Sequence, residues 1–148
     1  MITLTKRYAF SASHRLHSPS LSDEENEQVF GKCNNPYGHG HNYFLEVSVR
    51  GPVDGQTGQA VHLPTLDRLV TSEVLSSLDH RSLNHDVVEF QGDLVPTTEN
   101  LGLVIEDRLR RGWPSAFPNE WPKLEKIRIE ETSNNIFEVR GSDTKIRP

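Results

Sequence analysis

Three reactive side chains crowd into one short segment. GKCNNPYGHGHNYFLEVSVRG, residues 31–51, holds Cys33, the only thiol of the chain, six residues ahead of His39 and His41. A His-x-His pair on an extended strand sends both imidazoles to one side, roughly 7 Å apart at Cα for a rise of ~3.3 Å per residue. Side chains that far apart can converge on one ion. His14 supplies a third imidazole at the end of another extended stretch. Three histidines leave one tetrahedral position open, as catalytic zinc sites do, whereas structural zinc sites recruit four ligands and commonly several cysteines. The competing reading is three ordinary polar histidines beside a loop. A thiol near a dipositive ion or a histidine ionises more easily and can act as a base or nucleophile. Otherwise a lone cysteine is a small buried hydrophobe. LDHRSLN, residues 78–84, adds Asp79 and His80, which fit a proton relay and equally a helix-terminal histidine favoured by the macrodipole. Glu131, in EETSNNI, is the remaining candidate.

The elements that must position these groups show in the hydrophobic periodicity. In MITLTKRYAFSASH the even positions Ile2, Leu4, Tyr8, Phe10 and Ala12 form one strand face, and in HNYFLEVSVR the odd positions Tyr43, Leu45, Val47 and Val49 form another. GPVDGQTGQAV reads as a turn-rich hairpin connection. Leu66, Leu69, Val70, Val74 and Leu78 then fall at helical spacing, with Thr65 as cap after Pro64. A second helix carries Leu101, Val104, Ile105 and Leu109; Thr97 or Thr98 caps it, and Gly112 with Pro114 stops it. Ser22 and Glu25 have capping-box spacing for a short helix inside a loop. Ile127 and Ile129 open a strand that turns at 133–135 into a last one.

This pattern predicts an α+β fold of ββααββ order: an antiparallel four-stranded sheet with two helices packed on one face. It forms one domain over residues 1–141, with a disordered tail at 142–148. His14 shares the parity of Ala12, His39 and His41 that of Tyr43 and Leu45, and Glu131 that of Ile127 and Ile129. Equal parity means the same face. Three strands thus end in a histidine or carboxylate on the helix side, where buried polar groups need partners.

Composition narrows the function classes. A chain of 148 residues suits one domain with a real core. Its net charge of −5 offers no basic footprint for nucleic acid, and no apolar run approaches the ~18 residues of a membrane span. The first ten residues lack a signal-peptide layout, and a single cysteine fits a reducing compartment. The expectation is a cytoplasmic protein.

Taken together, FSASHRL, FGKCNNPYGHGHNY, LDHRSLN, PTTEN and EETSNNI, in this order, resemble the 6-pyruvoyl-tetrahydropterin synthase family over nearly the whole chain. The five residues 34–38 between the cysteine and HGH resemble the pyruvoyl-forming branch; 6-carboxy-tetrahydropterin synthases of queuosine biosynthesis carry fewer. The resemblance implies the tunnelling fold, in which trimers stack into homohexamers with pockets between subunits. It implies zinc on His14, His39 and His41, Cys33 as proton acceptor, and His80 in a relay with Cys33 supported by Asp79. Glu131 would anchor the pterin, with Thr97 and Thr98 lining its pocket. The implied reaction turns 7,8-dihydroneopterin triphosphate into 6-pyruvoyl-tetrahydropterin and triphosphate, toward tetrahydrobiopterin. Alternatives are the carboxy-forming reaction, an aldolase-like cleavage disfavoured by the retained Cys33, and a non-catalytic zinc-stabilised pterin-binding module. Such a module would need the histidines but not Cys33, His80 and Glu131 together.

Overall fold

The computed structural model describes residues 1–141; the expected tail at 142–148 lies outside the described residues. Two long strands, β1 (Ile2–His14) and β2 (His39–Gly51), form an antiparallel ladder from Ile2↔Gly51 to His14↔His39. On the far side of β2 lies β4 (Lys123–Thr132), followed by β5 (Asn135–Arg140), both antiparallel. The sheet is not four-stranded and antiparallel as the periodicity predicts. A fifth strand, β3 (Arg81–Ser82), pairs in parallel with Ala12 and Ser13 of β1, giving the order β3-β1-β2-β4-β5. Two residues carry no readable alternation, so β3 leaves no trace in the periodicity.

Helices cover one face of the sheet. The first long one begins as α2 (Leu63–Val70), passes through a π-helical turn at Thr71–Leu75, and ends as α3 (Ser76–Leu78). Its start lies earlier than Thr65, because Pro64 occupies the first turn, where its missing N–H costs nothing, and His62 is the N-cap. The link from β2 therefore leads into a helix, not a hairpin partner. α4 (Leu83–Asp86) follows β3, and α5 (Thr98–Ala116) is the second long helix. Gly112 and Pro114 do not stop α5. A Cβ at Gly112 would lie 2.9 Å from Leu69 Cδ1, so the glycine serves the close approach of α5 to α2. The predicted helical stripes are the buried ones: Leu66, Val70, Val74, Leu78, Leu101, Val104, Ile105 and Leu109 are all inaccessible, packed on Tyr43, Leu45, Val47, Ile127 and Ile129.

The loop between β1 and β2 is organised by one buried amide. Ser22 caps α1 (Asp23–Phe30) with the full capping box, and its first turn places Asn26 under the preceding loop. Asn26 Nδ2 donates to the carbonyls of Ser18, Leu21 and Ser22, while Oδ1 accepts from Ser18 N–H at 2.7 Å. α1 leads directly into the 3-10 turn Gly31–Asn34 that carries Cys33. Asn26→Ala would strip those backbone groups of their partner at a fully buried position, costing about 2 kcal/mol. We expect a melting temperature lower by several degrees, read by calorimetry, with the helical circular dichroism retained.

Candidate active site

His14, His39 and His41 meet at the open end of the β1–β2 ladder. Register sets His14 opposite His39, and Ala12 opposite His41. Gly38, at φ 71°, closes the turn that delivers His39; its N–H donates to Asn35 O at 2.9 Å. The three ring centroids are 4.8, 5.1 and 4.7 Å apart, a nearly equilateral triangle. Their donor nitrogens all lie within 4.8 Å of one another.

The hydrogen bonding fits a metal. His14 is 1% exposed, and its Nδ1–H donates to the Pro96 carbonyl at 2.8 Å. A carbonyl can only accept, so the proton sits on Nδ1 and Nε2 keeps a bare lone pair. Nε2 of His14 and Nε2 of His41 are both buried without a hydrogen-bond partner. As core packing these nitrogens would be unexplained costs of about 1–3 kcal/mol each; as ligands they are accounted for. Burial lowers the His14 pKa to about 4; the Pro96 hydrogen bond opposes this, and His39 and His41 add to it. Burial, and then His41, also lowers His39. Neutral imidazoles are the ligating form, and an all-imidazole set suits zinc better than magnesium or calcium, which take oxygen ligands.

Glu131 faces the same space. Its Oε1 lies 3.3 Å from His41 Nε2 and 3.7 Å from His14 Nε2, at the place where the β4–β5 register slips between Glu130 and Thr132. Tyr43 forms the floor: its ring stacks on Phe10 at 5.0 Å and stands edge-on to His14 and His41. Tyr43 Oη and Thr98 Oγ1 are both buried, close to one another, and neither meets hydrogen-bond geometry. Burial first, and Glu131 second, push the Tyr43 hydroxyl up from its ordinary value. Periodicity reads Tyr43 only as a core hydrophobe; the one signal against that is a phenol at the inward position next to the histidines. The two threonines differ in role. Thr97 spends its hydroxyl as the N-cap of α5, accepting from Asn100 N–H, whereas the buried Thr98 hydroxyl faces that of Tyr43.

Cys33 and His80 are not brought together within the chain. The half-buried Cys33 sits beyond the end of β1, where its carbonyl accepts from Leu16 N–H at 2.8 Å. Asp79 and His80 flank Ser11 instead: Asp79 Oδ1 accepts from Ser11 N–H at 2.9 Å, and His80 N–H donates to Ser11 O. His80 is held at φ 58°, a strained value for a non-glycine residue, and its side chain is 83% exposed. Asp79 Oδ1 lies 3.7 Å from His80 Nε2. A concavity of about 1260 Å³ lies elsewhere, between α2 and α5, and its Arg108 is already bidentate to Glu89.

The family model for 6-pyruvoyl tetrahydropterin synthase matches residues 3–142. The chain belongs to that family. The 6-pyruvoyl tetrahydrobiopterin synthase of Poecilia reticulata is 49% identical over 138 residues, 93% of this chain and 89% of that protein. The human 6-pyruvoyl tetrahydrobiopterin synthase is 44% identical over 138 residues, 93% of this chain and 90% of that protein. The solved structure of 6-pyruvoyl tetrahydropterin synthase from Caenorhabditis elegans superposes with a TM-score of 0.84 at 44% identity, covering 95% of this chain and 96% of that one. The α+β fold, one sheet with helices, is thus shared with that structure over 95% of this chain. No helix among the described residues is long and apolar enough to cross a membrane.

Two expectations follow. Because the folded pKa of His14 lies below its unfolded value of 6.5, the unfolded chain binds the extra proton between the two. In metal-free protein this stability is complete above pH ~6.5 and is lost as pH falls toward 4, by about 3 kcal/mol. Urea midpoints across that range should therefore fall more steeply for wild type than for His14→Asn. Tyr43→Phe removes an unpartnered buried hydroxyl and keeps the ring, so the unliganded variant should match wild-type stability or exceed it by up to ~1 kcal/mol. A loss above that would show the hydroxyl to be bonded.

Proposed function

We propose that the chain is a zinc-dependent lyase that converts 7,8-dihydroneopterin triphosphate to 6-pyruvoyl-tetrahydropterin and releases triphosphate. The observation that carries this is the buried histidine cluster, with two unpartnered nitrogens beside Glu131, in a chain 44–49% identical to synthases of that name. His14, His39 and His41 hold the ion, and Glu131 accepts two parallel hydrogen bonds from the pterin N3–H and 2-amino group, as a carboxylate does from a guanidinium. The Thr98 hydroxyl reads another ring edge, and Thr97 fixes the start of α5 that presents it. Zinc bound there supplies Lewis acidity to the side-chain hydroxyls, which makes the neighbouring C–H bonds more acidic. Cys33 accepts a proton released from the side chain, and His80 with Asp79 returns protons to the ring. Loss of triphosphate breaks the C–O bond to the terminal side-chain carbon. The ring gains the hydrogens that the side chain loses, so the reaction needs no external oxidant or reductant.

A proton relay between Cys33 and His80 is supported across two copies of the chain rather than within one. His80 is exposed at the β3 side of the sheet, and residues 2–10 of β1 have no strand neighbour on that side among the described residues. Such an edge suits head-to-tail closure with another copy, consistent with a homohexamer built from trimers. A single free thiol fits a cytoplasmic setting.

The test is mass spectrometry of products from zinc-loaded protein and dihydroneopterin triphosphate. A 6-pyruvoyl product with triphosphate is expected, with Cys33→Ala at least a hundred-fold slower. A 6-carboxy product would move the chain to the other branch, and unchanged substrate would sink the enzymatic reading. Mixing inactive Cys33→Ala with inactive His80→Ala should restore about a quarter of wild-type sites if each site draws on two chains. A relay within one chain restores none.

A further inference from the structure

Glu131 stands against the histidine triangle with nothing in the chain to neutralise it. Glu46, Glu130 and Glu138 of the same sheet each pair with a lysine or arginine. Glu131 has no such cation and no hydrogen bond among the described residues, although its side chain is only 16% exposed. Backbone geometry aims it. Pairing of β4 with β5 runs Glu130↔Ile136 and then Thr132↔Asn135, so β4 carries one extra residue, Glu131, that opposes nothing. A bulge of this kind frees its residue from the ladder and re-aims the side chain. Here Oε1 comes to lie 3.3 Å from His41 Nε2 and 3.7 Å from His14 Nε2.

Neither approach is a hydrogen bond. His14 Nε2 carries a bare lone pair, because its ring proton sits on Nδ1 and points at the Pro96 carbonyl. His41 Nε2 has no hydrogen-bond partner although an oxygen stands 3.3 Å away, so that oxygen lies off the axis along which the ring would direct a proton. A carboxylate packed against ring lone pairs is repelled, the more so where water is excluded. A cation shared by all of them reverses the sign. Two ligands on one tetrahedral zinc, at bonds of ~2.0–2.1 Å, stand about 3.3 Å apart, each displaced from the other's bond axis. Glu131 Oε1 has that relation to His41 Nε2, with His14 Nε2 slightly farther off.

We infer that, before substrate binds, Glu131 is the fourth ligand of the ion held by His14, His39 and His41, and that the pterin ring draws it off. The first half stands on the geometry; the second rests on the synthase reading. A carboxylate that receives two parallel hydrogen bonds from the ring commits both oxygens to it, so it cannot serve the ion with the same lone pairs. The resting site then has four protein ligands and is closed to water, as structural zinc sites are. Its fourth position opens to a molecule whose ring takes the carboxylate. Recognition of the ring is thereby placed ahead of activation of the side chain, and a polyol without the ring meets a filled position.

The first measurement is a crystal structure of the zinc-loaded, substrate-free, full-length protein. Glu131 Oε1 is expected ~2.0–2.2 Å from the ion, with no water at the fourth position. A water there, with Glu131 beyond it, overturns the inference. In solution, cobalt(II) in place of zinc reports the ligand set through its visible bands. Glu131→Gln should shift those bands without any pterin present and weaken zinc binding roughly ten-fold or more, read by competition with a chromophoric chelator. Unchanged bands with zinc affinity within two-fold of wild type overturn the ligand assignment. Neopterin, which has the ring and the side-chain hydroxyls but no phosphate, should change the wild-type cobalt bands, whereas glycerol should not. Neopterin that binds by calorimetry and leaves the bands unchanged overturns the exchange. Turnover of the wild type is measured separately. Turnover with water on the resting ion removes this inference alone, whereas a Glu131 that neopterin displaces, without turnover, removes the synthase reading and keeps the exchange.

Discussion

The antiparallel ladder between β1 and β2 is the constraint on which the site depends. Its pairing runs unbroken to His14↔His39, and that final pair, with His41 one inward position away, makes the triangle of imidazoles. A slip of one residue would turn every inward side chain of one strand to the other face. The histidines would then separate, and Tyr43, Leu45, Val47 and Val49 would leave the core together. Core burial and site geometry are therefore specified by the same register, and the apolar pairs of the ladder hold the polar end in place.

Two histidines of that polar end are pushed toward the neutral form by the same burial that makes them costly. Burial depresses the basicity of His14 and His39, and a single backbone carbonyl, from Pro96 just ahead of α5, chooses the tautomer of His14. The helix layer thus takes part in the electronics of a site whose three histidines are all on strands. Glu131 and Thr98 arrive from β4 and α5, so the space beside the three histidines is bounded by four long elements, each contributing through its end. Strand and helix ends are where backbone pairing stops and polar groups can be spared for a ligand.

The remaining groups are distributed differently. Cys33 depends on the loop that Asn26 and Asn34 organise, and His80 depends on the two-residue β3 that no periodicity marks. The opposite sheet face carries ion pairs such as Arg7 with Glu46 and Glu130, so its outward positions offer charge rather than an apolar surface. Chemistry in this chain is concentrated at one end of the sheet.

Alternation of apolar residues, read alone, determined the two long strands, the inward face of each, both long helices and their buried stripes. It also put His14, His39, His41 and Glu131 on that common face, because parity on a strand is a local property of backbone geometry. The capping box at Ser22 was legible for the same local reason, and the cap of α5 was narrowed to Thr97 or Thr98. What only tertiary structure decided depends on contacts between distant residues. Gly112 reads as a helix stop until Leu69 is seen against it, and Tyr43 reads as core until its hydroxyl is found without a partner. The strand β3 exists only because β1 offers it an open edge. The separation of Cys33 from His80 is set by how loops cross in space, which residue order and period do not encode.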